Sequence, residues 1–118
     1  MTLDDFIARL GTNDNLVFEE TLAIIASYYD FTPTGFTDGI ADDSLYNGPD
    51  ENQGSCKVFA FGMLNGLDKK QLLACFGEHY RKVLATPDGT DHANIRTFMR
   101  HGWSGIRFEG EPLRIRPR

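Results

Sequence analysis

With 118 residues, 41% of them hydrophobic and 25% charged, the chain fits one globular domain with a core of its own. A formal net charge of −5 argues against non-specific nucleic-acid binding, which needs clustered Lys and Arg, and no apolar run approaches the roughly 18 residues that span a membrane. Two cysteines, Cys56 and Cys75, make no disulfide framework and, with no basic-then-apolar leader at the start, point to a reducing compartment.

Residues 2–10 read as a first helix. Thr2 is a cap with Asp5 three residues on, and Leu3, Phe6, Ile7 and Leu10 recur at helical spacing. Gly11 ends it and residues 12–15 are turn-forming. The clearest helix spans residues 17–30, with Phe18, Leu22, Ile25 and Tyr29 on one face and Glu19 and Glu20 at its positive end. Pro33 closes it by biasing Thr32 away from helical angles. Phe31 and Phe36 are too apolar for a free loop, so this corner is expected to be pinned to the core.

Residues 37–54 hold five acids, three Gly and one Pro, with Leu45 and Tyr46 in the middle. They read as a long, functional or mobile loop, with room for a short strand near residues 35–40. The segment that follows is expected at the centre of the molecule. Ser55 reads as its N-cap and Gly66 as its stop. Val58, Phe59, Phe61, Met63 and Leu64 leave little room for a polar face, as in a buried helix.

Asp68 and Gln71 form a capping box, and one helix is predicted from there to about Leu84. Gly77 inside it costs about 1 kcal/mol relative to Ala and would allow close approach of another backbone. After the turn at Pro87-Asp88-Gly89, Thr90 is expected to cap a last helix over residues 91–101, with Ile95, Phe98 and Met99 as its stripe. Residues 106–109 alternate between glycines and predict a short strand that could pair near Phe36. Residues 1–60 carry eleven acids and two bases, residues 61–118 six acids and ten bases. The three arginines at 114, 116 and 118 fall in what reads as a flexible, solvated tail from about residue 111. The expected fold is a mainly α, single-domain arrangement of about five helices over residues 1–118 with room for one short two-stranded β pairing.

Five stretches together carry a family resemblance. They are Tyr29-Asp30-Phe31-Thr32-Pro33-Thr34-Gly35-Phe36, Gly54-Ser55-Cys56-Lys57-Val58-Phe59-Ala60-Phe61, Leu73-Ala74-Cys75-Phe76-Gly77-Glu78-His79-Tyr80, Gly89-Thr90-Asp91-His92-Ala93-Asn94-Ile95-Arg96 and Phe98-Met99-Arg100-His101-Gly102-Trp103. In this order they resemble the HopJ type III effector family over residues 18–108. The resemblance implies a bacterial protein, made in the cytoplasm and exported to a host cell by type III secretion. It implies no catalytic residues. The start of the chain departs from the Ser-rich, acid-poor pattern of type III export signals: Asp4 and Asp5 come early and no Ser precedes Ser27.

Two functions of different class remain open on the residues. One is a protein-binding or regulatory module. Its candidate binding residues are Asn52, Gln53, Lys57, Asp91 and Asn94, together with Tyr46 and Trp103 as aromatic anchors. The other is a small cysteine-dependent enzyme or redox protein. In it Cys56, at the front of the central helix, would be the nucleophile, with His92 or His101 as base. His92 and Asn94 are left over once turn and cap chemistry has accounted for residues 88–91, and are expected to meet Asn52, Gln53 and Cys56 in one pocket. Cys75, between Ala74 and Phe76, reads as core. No metal site is expected from His79, His92, His101, Asp91 and the thiols, because no two-His helical spacing and no C-x-x-C occurs. No glycine cluster cradles phosphate, so no cofactor is expected.

Overall fold

In the computed structural model, which describes residues 1–12 and 15–117, the apolar segment is a 12-residue helix, Gln53–Leu64 (α3). Its residues Cys56, Val58, Phe59, Ala60, Phe61 and Gly62 are buried. Its last turn emerges, leaving Met63 and Leu64 exposed. The helix begins two residues before the predicted cap. The chain enters it through Asn52, whose φ of 48° is left-handed, and Ser55 lies inside. Gln53 makes the entry rigid: its side-chain oxygen accepts from Thr34 N–H at 3.0 Å, and its amide donates to Thr34 O, Gly48 O and Glu51 O.

Among the described residues five further helices surround α3: Leu3–Arg9 (α1), Phe18–Tyr28 (α2), Lys69–Ala74 (α4), Glu78–Ala85 (α5) and Ala93–His101 (α6). Thr2 caps α1 as predicted, accepting from Asp5 N–H. The predicted turn at residues 12–15 falls partly on residues 13 and 14, outside those described. Asp68 and Gln71 form the predicted capping box of α4. The single helix expected beyond it is two, because Gly77 takes φ 57°. The close backbone approach is real: a Cβ on Gly77 would lie 2.7 Å from Phe18 N and 2.8 Å from Leu16 O. The last helix starts at Ala93, not at Asp91, again through a left-handed residue, His92 with φ 51°.

The β content exceeds the one pairing expected. Tyr29–Phe31 (β1), its first two residues expected to end a helix, pairs antiparallel with Leu113–Ile115 (β5). Pro33 and the β-forming Tyr and Phe favour extended chain there, and the returning C-terminal segment supplies the partner. The predicted solvated tail is therefore largely tied down. Leu113 is buried, and Arg116 donates to Tyr29 O and pairs with Asp30. Arg118 lies outside the described residues. The long acidic loop is mostly a hairpin, Phe36–Ile40 (β2) with Asp43–Asn47 (β3), turning through Ala41 and Asp42. As predicted, the segment after Gly105 pairs near Phe36: Arg107–Phe108 (β4) completes a sheet of order β3-β2-β4.

Trp103, expected as a partner anchor, is half-buried in a 3₁₀ turn, Gly102–Gly105. Its indole N–H donates to Leu67 O at 2.9 Å and its ring meets Phe98 edge-on. Gly62 makes room for it: a Cβ there would come 3.0 Å from the indole.

Replacing Gly77 by Ala is expected to lower stability by at least about 2 kcal/mol, since both the positive φ and the space forbid a side chain. Urea unfolding of Gly77→Ala against wild type measures it; a loss near zero would mean that the α4–α5 break tolerates a side chain.

Candidate functional site

The front ends of α3, α5 and α6 and the end of β3 enclose a cleft of about 500 Å³. Its polar wall is an amide cluster. Asn47 closes β3, Asn52 leads into α3, and Asn94 lies in the first turn of α6. Asn94 Nδ2 donates to Asn47 Oδ1 at 2.9 Å, and Asn47 Nδ2 donates back to Asn94 Oδ1 at 3.2 Å. Asn52 Nδ2 also donates to Asn47 Oδ1, at 2.7 Å. Asn47 and Asn94 are largely buried, so these bonds satisfy groups that have little access to water. The cluster joins α6 to the β3–α3 connection, 47 residues earlier in the chain.

The other wall is a run of rings. Phe76 stacks on Phe18, Phe18 meets His79 at 5.0 Å, and His79 lies 4.9 Å from His92. Burial, together with the neighbouring His79, holds the His92 imidazole below the usual histidine range, so it is neutral at pH 7. Ser55, Leu45, Ala93 and Ile95 also line the cleft, with Tyr46, 59% exposed, at its rim. Tyr46 donates its hydroxyl to Glu109, which raises the phenol's pKa. Among the described residues, no Asp, Glu, Lys or Arg lines the cleft.

Of the residues singled out by sequence, the cleft gathers Asn52, His92, Asn94 and Tyr46. No hydrogen bond among the described residues ties His92 to residues 52–57; Asn47 makes the link instead. Gln53 braces the loops at Thr34 and Gly48. Lys57 sits over the Phe31 ring, its ammonium 4.7 Å from the centroid. Asp91 pairs with Arg96 at 2.7 Å and Lys82 at 3.0 Å, which hold its carboxyl down at about 2. Arg96, buried, also donates to Thr86 O and Asp91 O, so this group pins the turn before α6.

Cys56 does not line the cleft. It is fully buried, with Sγ 3.5 Å from Thr34 O. Because α3 starts at Gln53, Cys56 is past the unpaired front end and its N–H already bonds to Asn52 O. Burial pushes its thiol up to about 11, the opposite of the helix-front thiolate expected. Cys75 is core as predicted, pushed up to about 12. No group of three or more His, Cys, Asp or Glu able to hold a metal ion occurs among the described residues.

Asn47, His79, Phe18 and Phe76 were not assigned to this site from sequence. Asn47-Gly48-Pro49 carries only a turn signal, and the ring run joins α2, α5 and the turn before α6, which no local spacing connects.

The profile of the HopJ type III effector protein family matches residues 3–113, and the chain belongs to that family. Comparison with curated proteins finds no match. The crystal structure of VPA0580, a protein of unknown function, is similar: 48% identity, TM-score 0.88, over 98% of this chain and 95% of that one. No helix among the described residues is long and apolar enough to cross a membrane.

Two outcomes are expected from these contacts. In the folded protein neither thiol reacts with iodoacetamide at neutral pH, and both react in urea, as peptide mass spectrometry will read; alkylation of folded Cys56 would reopen thiol chemistry. Asn47→Ala leaves Asn94 and Asn52 without their partner and is expected to cost about 2 kcal/mol in chemical unfolding.

Proposed function

We propose that this chain is an effector-type binding module that acts by holding a protein partner, with the cleft taking an uncharged aromatic side chain of that partner. The observation that carries the reading is the lining: rings on one wall, amides on the other, no charged side chain and neither thiol. Burying an unpaired charge there would be costly, whereas a flat ring finds apolar surface and a polar edge finds Asn52, Ser55 or His92. Exposed Tyr46 at the rim supplies the kind of residue enriched at binding hot spots. Family membership supports delivery of such a module into a host cell. The raised thiols speak against the cysteine-enzyme alternative.

Amide NMR of the labelled chain titrated with N-acetyl-tyrosinamide, N-acetyl-tryptophanamide and capped lysine and glutamate tests this. The neutral aromatic probes are expected to bind in the millimolar range, shifting Asn52, Ser55, His92 and Asn94, and Ser55→Trp to abolish the shifts. Stronger binding of a charged probe, or shifts confined to other surfaces, would overturn the reading. Because His92 is neutral at pH 7, binding should hold through neutrality and weaken as acid protonates that ring below the usual histidine range.

A further inference from the structure

Asp38 occupies the middle of β2, opposite Leu45 of β3. It is fully buried, and neither carboxyl oxygen has a hydrogen-bond partner among the described residues. A buried acid without a partner calls for an explanation, because ionised it would forfeit its hydration with nothing in return. β2 packs against β3, α6, the 3₁₀ turn and β4. The titratable and charged groups these elements bring are Arg96, Arg100 and His101 of α6, Asp43 and Tyr46 of β3 and Arg107 of β4; Arg96 is held by Asp91 and Thr86, Tyr46 by Glu109, and the 3₁₀ turn brings none. Arg107 reaches toward Gly39 O at 3.4 Å. Arg100 is the cation that acts on Asp38, yet its guanidinium is held by Asp43 through bonds of 2.7 and 3.0 Å, and His101 lies 2.6 Å from the same carboxylate.

Arg100 therefore has two carboxylates to serve and is bound to one. With Asp38 protonated, the pair on Asp43 closes the hairpin onto α6. With Asp38 ionised, the buried charge must draw Arg100 away from Asp43 or admit water between β2 and α6.

We propose that Asp38 is a proton-operated latch of the β2–β3 hairpin, closed on α6 while the carboxyl keeps its proton and loosened when the proton leaves, and that Leu45, Tyr46 and Asn47 of the cleft loosen with it. The latch does not depend on what the cleft binds.

The direction follows from linkage. Burial raises the Asp38 carboxyl to about 7 from an ordinary value of 3.8, with Arg100 opposing and Asp43 adding to the rise. The closed state thus holds a proton that the open state has released, and closure weakens as pH climbs through that interval and levels off above it. Asp43, held at about 2, acts in the opposite sense and only in stronger acid, so the two windows are separate.

Hydrogen–deuterium exchange of the 118-residue chain from about pH 5 to about pH 8.5, read by mass spectrometry and corrected for intrinsic rates, tests the latch. Protection of peptides covering residues 37–47 is expected to fall by up to about tenfold per pH unit until near neutrality, and to fall less in α3. Asp38→Asn, which cannot ionise, should remove that slope. An unchanged slope in Asp38→Asn, pH-independent protection in the wild type, or an equal fall in α3 would overturn the proposal. Should Asp38→Asn fail to fold, the carboxyl ¹³C titration of Asp38 in the wild type decides: a midpoint near 7 supports the latch, and one in the ordinary carboxylate range refutes it.

Discussion

Burial of α3 is the constraint from which the rest of this structure follows. Phe59 shows why: its ring meets Phe36 of the sheet at 5.9 Å, Phe76 at 5.6 Å and Phe98 of α6 at 5.2 Å. On the same helix Phe61 meets Phe6 and Tyr29 edge-on. A helix that gives its surface to neighbours on so many sides leaves its ends as the places where backbone groups need polar partners. At the exit that partner is a side-chain amide, Asn65, whose Nδ2 donates to Phe61 O and Tyr29 OH, while at the entry the Gln53 amide ties the preceding loops at Thr34 and Gly48 to the helix start.

The cleft is a product of the same arrangement. The chain enters α3 and α6 through left-handed Asn52 and His92, so both helices start abruptly with no side-chain cap. The space between these starts is bridged by the amide of Asn47 and walled by the rings of Phe18, His79 and His92. A reciprocal Asn47–Asn94 pair is directional, so it holds β3 to α6 in one register where apolar packing alone would let them slide. Near the opposite end of the same hairpin, Arg100 is bound to Asp43 while Asp38 is buried without a partner among the described residues, so the element carrying part of the cleft also carries an uncompensated acid.

How much of this was legible depends on the range of the interaction. The cap at Thr2, the capping box of Asp68 and Gln71, the buried Phe59 and Phe61, and the pairing of residues 107–108 near Phe36 could all be read from the chain, because each rests on periodicity, cap chemistry or turn residues. Tyr29–Phe31 could not be told from the end of a helix until residues 113–115 were seen to pair with it. Half of the site was legible: Asn94 and His92 stood out as residues that local structure did not use. Asn47 and His79 did not, since one looks like a turn residue and the other like an exposed helix position. Cys56 misled because a helix start displaced by three residues turns a front-end thiol into a core one.

By itself the sequence determined that this is one mainly helical domain around a central apolar helix, with membership in the HopJ family. These are properties of composition, period and motif order, and they survive small errors in where an element begins. Tertiary structure alone decided that the acidic segment is mostly a hairpin, that residues 113–115 form a strand, that Cys56 is fully buried, and that three asparagines and two histidines share a cleft. Apart from the hairpin, whose strands are neighbours in the chain, each depends on contacts between residues far apart in sequence or on helix boundaries set by backbone angles at Asn52, Gly77 and His92.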